Sequence, residues 1–484
     1  MLKRLFVLLI AVFVFALTAI SCKKEKKTKT AAAISDTVMV ARVGSFGVPE
    51  SRVVKSFEFS KEFQRNKVIT TDLLKKYIER YYLGEIYLLA EAKAEGLDKD
   101  PEFLKAMKAH RIQEMTKPDG PLAKVILAKK FNVSNKELEE LYKHLPYRLT
   151  LQQILVTSKP LADSLYRLLK HGANFGKLAQ KYSNDIQSAV KEGVLSNYLV
   201  AGMASPEYER VAFSLTESHP ISKPFKTEFG YHILKLMARE KQKVGGMVQE
   251  RLRLVDIAKV RAQNEYIQHY VDSLFKKYHY RLNEKLIPVI LHAFKRDGYF
   301  GVVQKSKIKP SLLQAKFLTY DKGFWTLADF IDAYNNTNRF QRYRLEYPND
   351  VRIMAKKLIS KELMYWDGVA RGLDKDKTYR KLIDYYYHHE LEKIGEKRLI
   401  DSNVHVSDAE AKAFYAKHRN LWKNSPFERV KVYVKNRLEN QKRSQVRKDF
   451  LNYLKKKYKV QYNTEALQRL VELMNERKRL RAVS

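Results

Sequence analysis

A short string, Gly96-Leu97-Asp98-Lys99-Asp100, returns as Gly372-Leu373-Asp374-Lys375-Asp376 at an offset of 276 residues. A chain that repeats itself over such a distance is assembled from related structural units, so the repeat restricts the fold before composition is considered. Each copy of the string follows a helical pattern, Tyr77 to Glu95 in the first and Met354 to Arg371 in the second. Both glycines stand where a helix ends in a left-handed residue. Farther on, Val133-Ser134-Asn135-Lys136-Glu137 matches Val406-Ser407-Asp408-Ala409-Glu410 at an offset of 273. Ser134 and Ser407 read as helix N-caps, each with a glutamate three residues later that reaches back to the amide of the cap. A third match joins Tyr270 to Tyr278 with Phe450 to Tyr458, and Asn283 with Asn463, at an offset of only 180. The fall from 273 to 180 places about 93 extra residues inside the first copy, the size of a domain. A weaker fourth match sets Val38 to Val43 beside Ala315 to Tyr320, both short strand patterns.

From these offsets the expected division is a helical unit of residues 36–146 completed by 241–300, an insert at 147–240, and a second helical unit at 301–484 without an insert. The fold class is α+β: a mostly helical body of two related units carrying one small α/β domain. Apolar residues make up 45% and charged residues 30% of the 484, the balance of a folded chain. The formal net charge of +38 attracts polyanions, anionic lipid headgroups and acidic polypeptides alike. Cys22 is the single cysteine, which excludes an internal disulfide and a Cys-rich zinc cluster. His388-His389-Glu390 lacks the spacing of a zinc helix and reads as a packed or solvated cluster. There is no Gly-x-x-x-x-Gly-Lys phosphate loop, and nothing points to a nucleophilic Ser or Cys with its base. The basic run from Arg429 to Lys459, with apolar residues at helical spacing, has two readings. It can lie on nucleic acid or anionic lipid, or it can be a packing helix with a solvated basic face. The matching stretch Arg251 to Lys277 is milder in charge but similar in pattern, which favours the packing helix and no nucleic acid.

The N-terminus reads as an address. Lys3 and Arg4 precede an almost wholly apolar run from Leu5 to Ile20, and Ala19-Ile20-Ser21-Cys22 closes it. This resembles a bacterial lipobox, which implies a signal peptide at 1–22 and a lipid-modified Cys22 as the first mature residue; Ala19 stands where leucine is usual. The alternative, an uncleaved signal anchor, has a run of 16 residues, short of the roughly 20 that a membrane span needs. Residues 23–35, charged and then small, are expected to form a flexible tether.

Residues 147–240 differ in texture from their flanks. Leu149 to Val156 is strand-like, Ala162 to His171 and Phe175 to Tyr182 are helical, and Ile233 to Met237 is a closing strand. Five blocks in order carry a resemblance. They are Leu151 to Val156, Gly172-Ala173-Asn174-Phe175-Gly176-Lys177-Leu178-Ala179, Tyr182-Ser183-Asn184-Asp185, Pro206 to Phe213, and Phe229-Gly230-Tyr231-His232-Ile233-Leu234-Lys235. Together they resemble the parvulin family of peptidyl-prolyl isomerases over nearly the whole insert. The arrangement of helical segments around it is similar to envelope foldases of the SurA and PrsA kind.

The resemblance implies an autonomous domain that isomerises X-Pro bonds without metal or cofactor. Asp185, His232 and Gln153 fall at its catalytic positions, and Met203, Tyr208 and Phe213 line its proline pocket. Two departures stand out. Gln153 replaces the family's first histidine, so it hydrogen-bonds but cannot share a proton with His232. Tyr208 adds a hydroxyl where the pocket is usually Phe, and Met203 sits one residue farther from Tyr208 than the family spacing. Read without the family, His232 is a hydrogen-bonded core histidine and Asp185 a turn or cap residue. The function implied is a chaperone and peptidyl-prolyl isomerase of the cell envelope, anchored through Cys22 and facing the periplasm or extracytoplasmic space. Its partners are unfolded exported polypeptides with X-Pro bonds, held along apolar and aromatic grooves between the helical units. The alternatives are a holdase whose parvulin fold only binds peptide, and an envelope scaffold that binds anionic surfaces.

Overall fold

The structure, a computed structural model, describes residues 35–483. The signal segment, Cys22 and the tether up to residue 34 lie outside the described residues. The chain divides into two compact units, residues 112–379 and residues 35–111 with 380–483.

Within the first unit, residues 147–241 form a three-stranded antiparallel sheet with helices on both faces. Strand Gly230–Lys241 runs between Tyr147–Val156 and Phe225–Thr227. Its register sets Ile154 opposite Ile233 and Leu151 opposite Leu236, so the two strands expected to close the insert lie side by side. Because side chains alternate across a strand, the sheet has two different faces. Ile154, Val156 and Ile233 pack under the helices that contribute Leu165, Leu169 and Phe175. Leu149, Leu151, Leu234 and Leu236 face the other way, against Tyr208 and Phe213. Gln153 and His232 fall on that second face by the same alternation.

The insert is embedded, not hung from the frame as an autonomous module. Helix Asn135–His144 and the long helix Met247–Lys277 share a core with Ala201 through Leu138, Leu141, Leu254 and Ala258. Arg261 of the long helix pairs with buried Glu209. Ala201, in the loop between the strands of the insert, is thus covered by apolar side chains of the frame that would otherwise face water.

The grouping of the frame corrects the expected one. Residues 36–111 do not complete a unit with 241–300; they pack with 380–483, whereas 241–300 pack with 301–379. Strand pairing gives the physical reason. Strand Arg281–Leu282 at the end of the first tail pairs with Lys316–Tyr320 of the second copy. Its counterpart Gln461–Tyr462 pairs with Met39–Val43 of the first. Asn283 and Asn463 continue the match, donating backbone amides to Phe317 and Val40 at 2.8 and 3.1 Å. The faint likeness between Val38–Val43 and Ala315–Tyr320 therefore marks equivalent strands, each followed by a hairpin partner and a helix.

Buried carboxylates repeat the exchange. Glu91 and Asp367 each stand five residues before the repeated glycine. Lys457 Nζ donates to both Glu91 oxygens at 2.8 and 2.7 Å, and Tyr458 OH adds a bond at 2.7 Å. At the equivalent place Lys277 pairs with Asp367, which also accepts from Tyr270 OH at 2.6 Å and Arg371 Nε at 2.7 Å. Gly96 and Gly372 end their helices at φ of 70° and 74°, as their position required. Ser134 and Ser407 both cap, accepting from Glu137 and Glu410 amides at 3.2 Å, but the reciprocal bond, Ser407 N donating to Glu410 Oε2 at 2.9 Å, forms only in the second copy.

The basic run is a packing helix, Phe427–Lys457. Lys431 and Lys435 pair with Asp408, Lys442 with Glu410, and Arg443 and Arg447 with Glu396. His388-His389-Glu390 is a packed cluster: Glu390 bonds His110 at 3.1 Å and Lys393 at 3.2 Å, and His388 meets Phe46 edge-on.

The exchange makes a testable statement. Glu91→Ala is expected to raise hydrogen exchange in residues 450–462 and leave 270–282 unchanged, whereas Asp367→Ala does the reverse, each costing about 1–3 kcal/mol of local stability. Loosening of 270–282 by Glu91→Ala would contradict the grouping.

Candidate active site

The face of the sheet that carries Leu149 and Leu151 also carries the polar residues. Gln153, Asp185, Tyr208 and His232 converge there and are 6%, 4%, 9% and 5% exposed. Asp185 Oδ2 accepts from Gln153 Nε2 and from Ser188 Oγ. Gln153 Oε1 accepts from Tyr208 OH at 3.0 Å. The Tyr208 ring meets His232 edge-on at 5.3 Å, Phe225 stacks on the imidazole at 5.4 Å, and Tyr208 and Phe225 meet edge-on at 5.8 Å. His232 Nε2 shares a 2.7 Å hydrogen bond with Thr227 Oγ1. A polar chain therefore runs from Asp185 through Gln153 and Tyr208 to the edge of His232.

Local sequence places each member. The hairpin Phe225–Gly230 sets Phe225 opposite His232 and Thr227 opposite Gly230, bringing Thr227 within reach of the imidazole. Gly193, at φ of 83°, lets its carbonyl accept the Gln153 amide at 2.8 Å; a Cβ there would lie 2.8 Å from the Gln153 carbonyl oxygen. Asp185 follows the helix Phe175–Tyr182, and helix Pro206–Ser214 presents Tyr208 and Phe213 from the same side. Met203 is partly buried against this apolar group, so its longer spacing does not take it away from Tyr208. Gln153, Asp185, Tyr208 and His232 thus form one connected group, and Met203 and Phe213 belong to the apolar cluster that contains Tyr208.

Burial governs the electrostatics. Desolvation alone pushes the His232 imidazole down to about 3, so it is neutral throughout the physiological range. Burial also pushes the Tyr208 hydroxyl up, with the Asp185 charge adding to it, so Tyr208 remains a donor. Asp185 Oδ1 and His232 Nδ1 are buried without a hydrogen-bond partner among the described residues.

Four participants were not expected. Thr227, Phe225 and Ser188 surround His232 and Asp185, and the hairpin pattern before Gly230 held the signal for the first two. His144 lies outside the insert and stacks on Phe213 at 4.3 Å with the rings 14° apart. Nothing local to Phe213 announces it.

Residues 147–241 are thus a small antiparallel sheet with helices on both faces and a connected group of buried Gln, Asp, Tyr and His on one of them. Residues 152–238 match the Rotamase family, described as PPIC-type PPIASE domain. Foldase protein PrsA 3 of Bacillus cereus is 27% identical over 281 residues, 56% of this chain and 94% of that protein. Foldase protein PrsA of Geobacillus sp. is 25% identical over 231 residues, 46% of this chain and 82% of that protein. Among solved structures, peptidylprolyl isomerase PrsA from Bacillus anthracis is similar at 21% identity, covering 45% of this chain and 92% of that one with a TM-score of 0.24. The parvulin NmPin of Nitrosopumilus maritimus is similar at 40% identity, covering 19% and 96% with a TM-score of 0.18.

The buried imidazole predicts the acid response. Its folded pKa lies below the unfolded value, so the unfolded chain binds the proton more readily. The stabilisation is complete above about pH 6.5 and falls by roughly 1.4 kcal/mol per unit as pH drops toward 3. His232→Gln should flatten that slope in acid unfolding of the domain, and the His232 ring proton should not titrate between about pH 5 and 8. A ring signal that moves with a midpoint near 6.5 would contradict the buried, neutral state.

Proposed function

We propose that the chain is a foldase for exported proteins, a peptidyl-prolyl isomerase domain set within a helical chaperone frame and anchored to the cell envelope by lipid at Cys22. The observation that carries the reading is the convergence of Gln153, Asp185, Tyr208 and His232 beside one apolar cluster.

The chemistry makes and breaks no bond. Rotation about X-Pro has a barrier of about 18–20 kcal/mol because the planar amide is held by resonance. A catalyst lowers it by binding the twisted amide better than either planar isomer. Met203, Tyr208 and Phe213 supply the apolar grip for the proline ring. In the twisted state the amide nitrogen regains its lone pair and the carbonyl loses resonance, so fixed dipoles beside the cleft favour it. The second N–H of Gln153 Nε2, the one not given to Asp185, is such a donor; Tyr208 OH is committed to Gln153 Oε1, and with the Asp185 carboxylate it fixes the orientation of Gln153. The neutral His232 ring holds Tyr208 between itself and Gln153. Asp185, His232 and Gln153 act as the catalytic residues in this reading.

A second reading, a binding domain without turnover, is favoured by one arrangement. Gln153 spends both ends of its side-chain amide on Asp185 and Tyr208, and His144 covers a face of Phe213. Proline-limited refolding separates the two. Wild type should accelerate the slow phase, and Asp185→Asn or His232→Ala should reduce that acceleration by about tenfold or more while leaving peptide binding in place. Equal acceleration by all three removes the catalytic assignment.

Client binding uses apolar surface in this reading. Phe59, Tyr81, Tyr385 and Tyr433 are 77%, 53%, 63% and 69% exposed on the unit of residues 35–111 and 380–483, and Val248 and Leu252 are 88% and 82% exposed on the other. Among the described residues no helix is long and apolar enough to cross a membrane, which leaves attachment to the N-terminal segment in this proposal. Affinity for an unfolded client should change little between low and physiological salt; a steep fall would instead favour attraction by net charge.

A further inference from the structure

One stretch outside the isomerase domain reaches the segment that carries Asp185. Arg344 is buried at 2% exposure, and its guanidinium donates to the carbonyls of Gln180 at 3.2 Å, Lys181 at 3.0 Å and Ser183. These close the C-terminal end of helix Phe175–Tyr182, where unpaired carbonyls and the negative end of the helix dipole favour a cation. The Arg344 backbone amide donates to Asn184 Oδ1 at 3.1 Å, and Asn184 Nδ2 donates to Asp350 Oδ1 at 2.8 Å. Asp350, wholly buried, also accepts from Thr157 Oγ1 at 2.6 Å and from the amides of Glu346 at 3.1 Å and Tyr347 at 2.7 Å. Asn349 and Tyr343 extend the grip to the carbonyls of Thr157 and Phe229, at 2.7 and 3.1 Å.

Building on the isomerase reading, we propose that residues 343–350 are a positioning latch that fixes Ser183 to Asp185 and so holds the Asp185 carboxylate against Gln153. On its inner side this segment is tied to the sheet: Asn184 N donates to the Leu155 carbonyl at 2.7 Å, and Leu155 N to Ser183 Oγ at 3.1 Å. Its outer side is held by Arg344 and Asp350. Removing the latch leaves the sheet bonds intact but frees the backbone that aims Asp185. The construction is costly, because two charges are taken out of water; desolvation pushes Arg344 down to about 10 and Asp350 up to about 6. Apolar contacts would hold the domain in place equally well. Directional bonds to Gln180, Lys181, Ser183 and Asn184 instead fix the geometry around one residue of the cleft. The isomerase is therefore tuned by a segment that begins more than a hundred residues after His232.

The test uses the mature full-length chain with Arg344→Met, Arg344→Lys and Thr157→Val. Isomerisation of a proline tetrapeptide gives kcat and KM, NMR of the Gln153 side-chain amide reports its bond to Asp185, and thermal unfolding reports the fold. Arg344→Met is expected to lower kcat about tenfold with little change in KM and to shift the Gln153 signal. Arg344→Lys should recover part of the loss, and Thr157→Val should give a smaller loss in the same direction. Wild-type kcat with an unmoved Gln153 signal in Arg344→Met overturns the latch, as does a loss that follows the unfolded fraction alone. If Arg344→Met does not fold, Thr157→Val decides by the same two readouts. A wild type without turnover overturns the isomerase reading; the Gln153 signal then decides the latch by itself, displaced in its favour and unmoved against it.

Discussion

The insert depends on the pairing of Tyr147–Val156 with Gly230–Lys241, which sets Tyr147 directly opposite Lys241. A domain spliced into a helical frame must return the chain to where it left, since a wide gap would separate the helices on either side. Here the two ends of the insert are neighbours in a ladder. Helix Asn135–His144 can therefore pack on Met247–Lys277 as Asp408–Lys417 packs on Phe427–Lys457, where only a short connection intervenes. The same register puts Gln153 and His232 on one face, so the splice and the cleft follow from one set of backbone hydrogen bonds.

The frame shows how a duplicated sequence can fold without each copy closing on itself. The first part of each copy offers a strand edge and a buried carboxylate, and the rear of each copy offers a short strand and a lysine. Both copies offer a carboxylate to one side and a lysine to the other, so the sequence alone is compatible with either pairing. The structure takes the exchanged one, with Lys457 on Glu91 and Lys277 on Asp367. Offsets in the sequence recorded which segments are equivalent; they carried no information on which partner each segment takes.

Legibility differed residue by residue. The two strands and two helices of the insert could be named from alternation and periodicity, and the six candidate residues from the resemblance to the parvulin family. Thr227 and Phe225 were within reach of the same argument, because a hairpin before Gly230 places both beside His232. His144, Arg344 and Asp350 were not. A stacked ring and a buried charge acquire their partners only when distant elements dock, and an arginine bonded to backbone carbonyls leaves no complementary side chain in the sequence to look for. The departure at Gln153 was visible at once, but its consequence was not: the amide joins Asp185 to Tyr208, a bridge that an imidazole with one donor and one acceptor in a ring would make with different geometry.

By itself the sequence determined that this chain holds two related helical segments, that about 93 residues interrupt the first, and that those residues alternate short strand and helix patterns, with five blocks that resemble the parvulin family. These properties follow from local periodicity, caps and motif order, which act over a few residues. Tertiary structure decided which half pairs with which, that the domain is embedded and not free, and that a buried arginine and aspartate bond the segment from Gln180 to Asn184. Those outcomes depend on desolvation and on hydrogen bonds between segments far apart in the chain, and such energies exist only once the segments have come together.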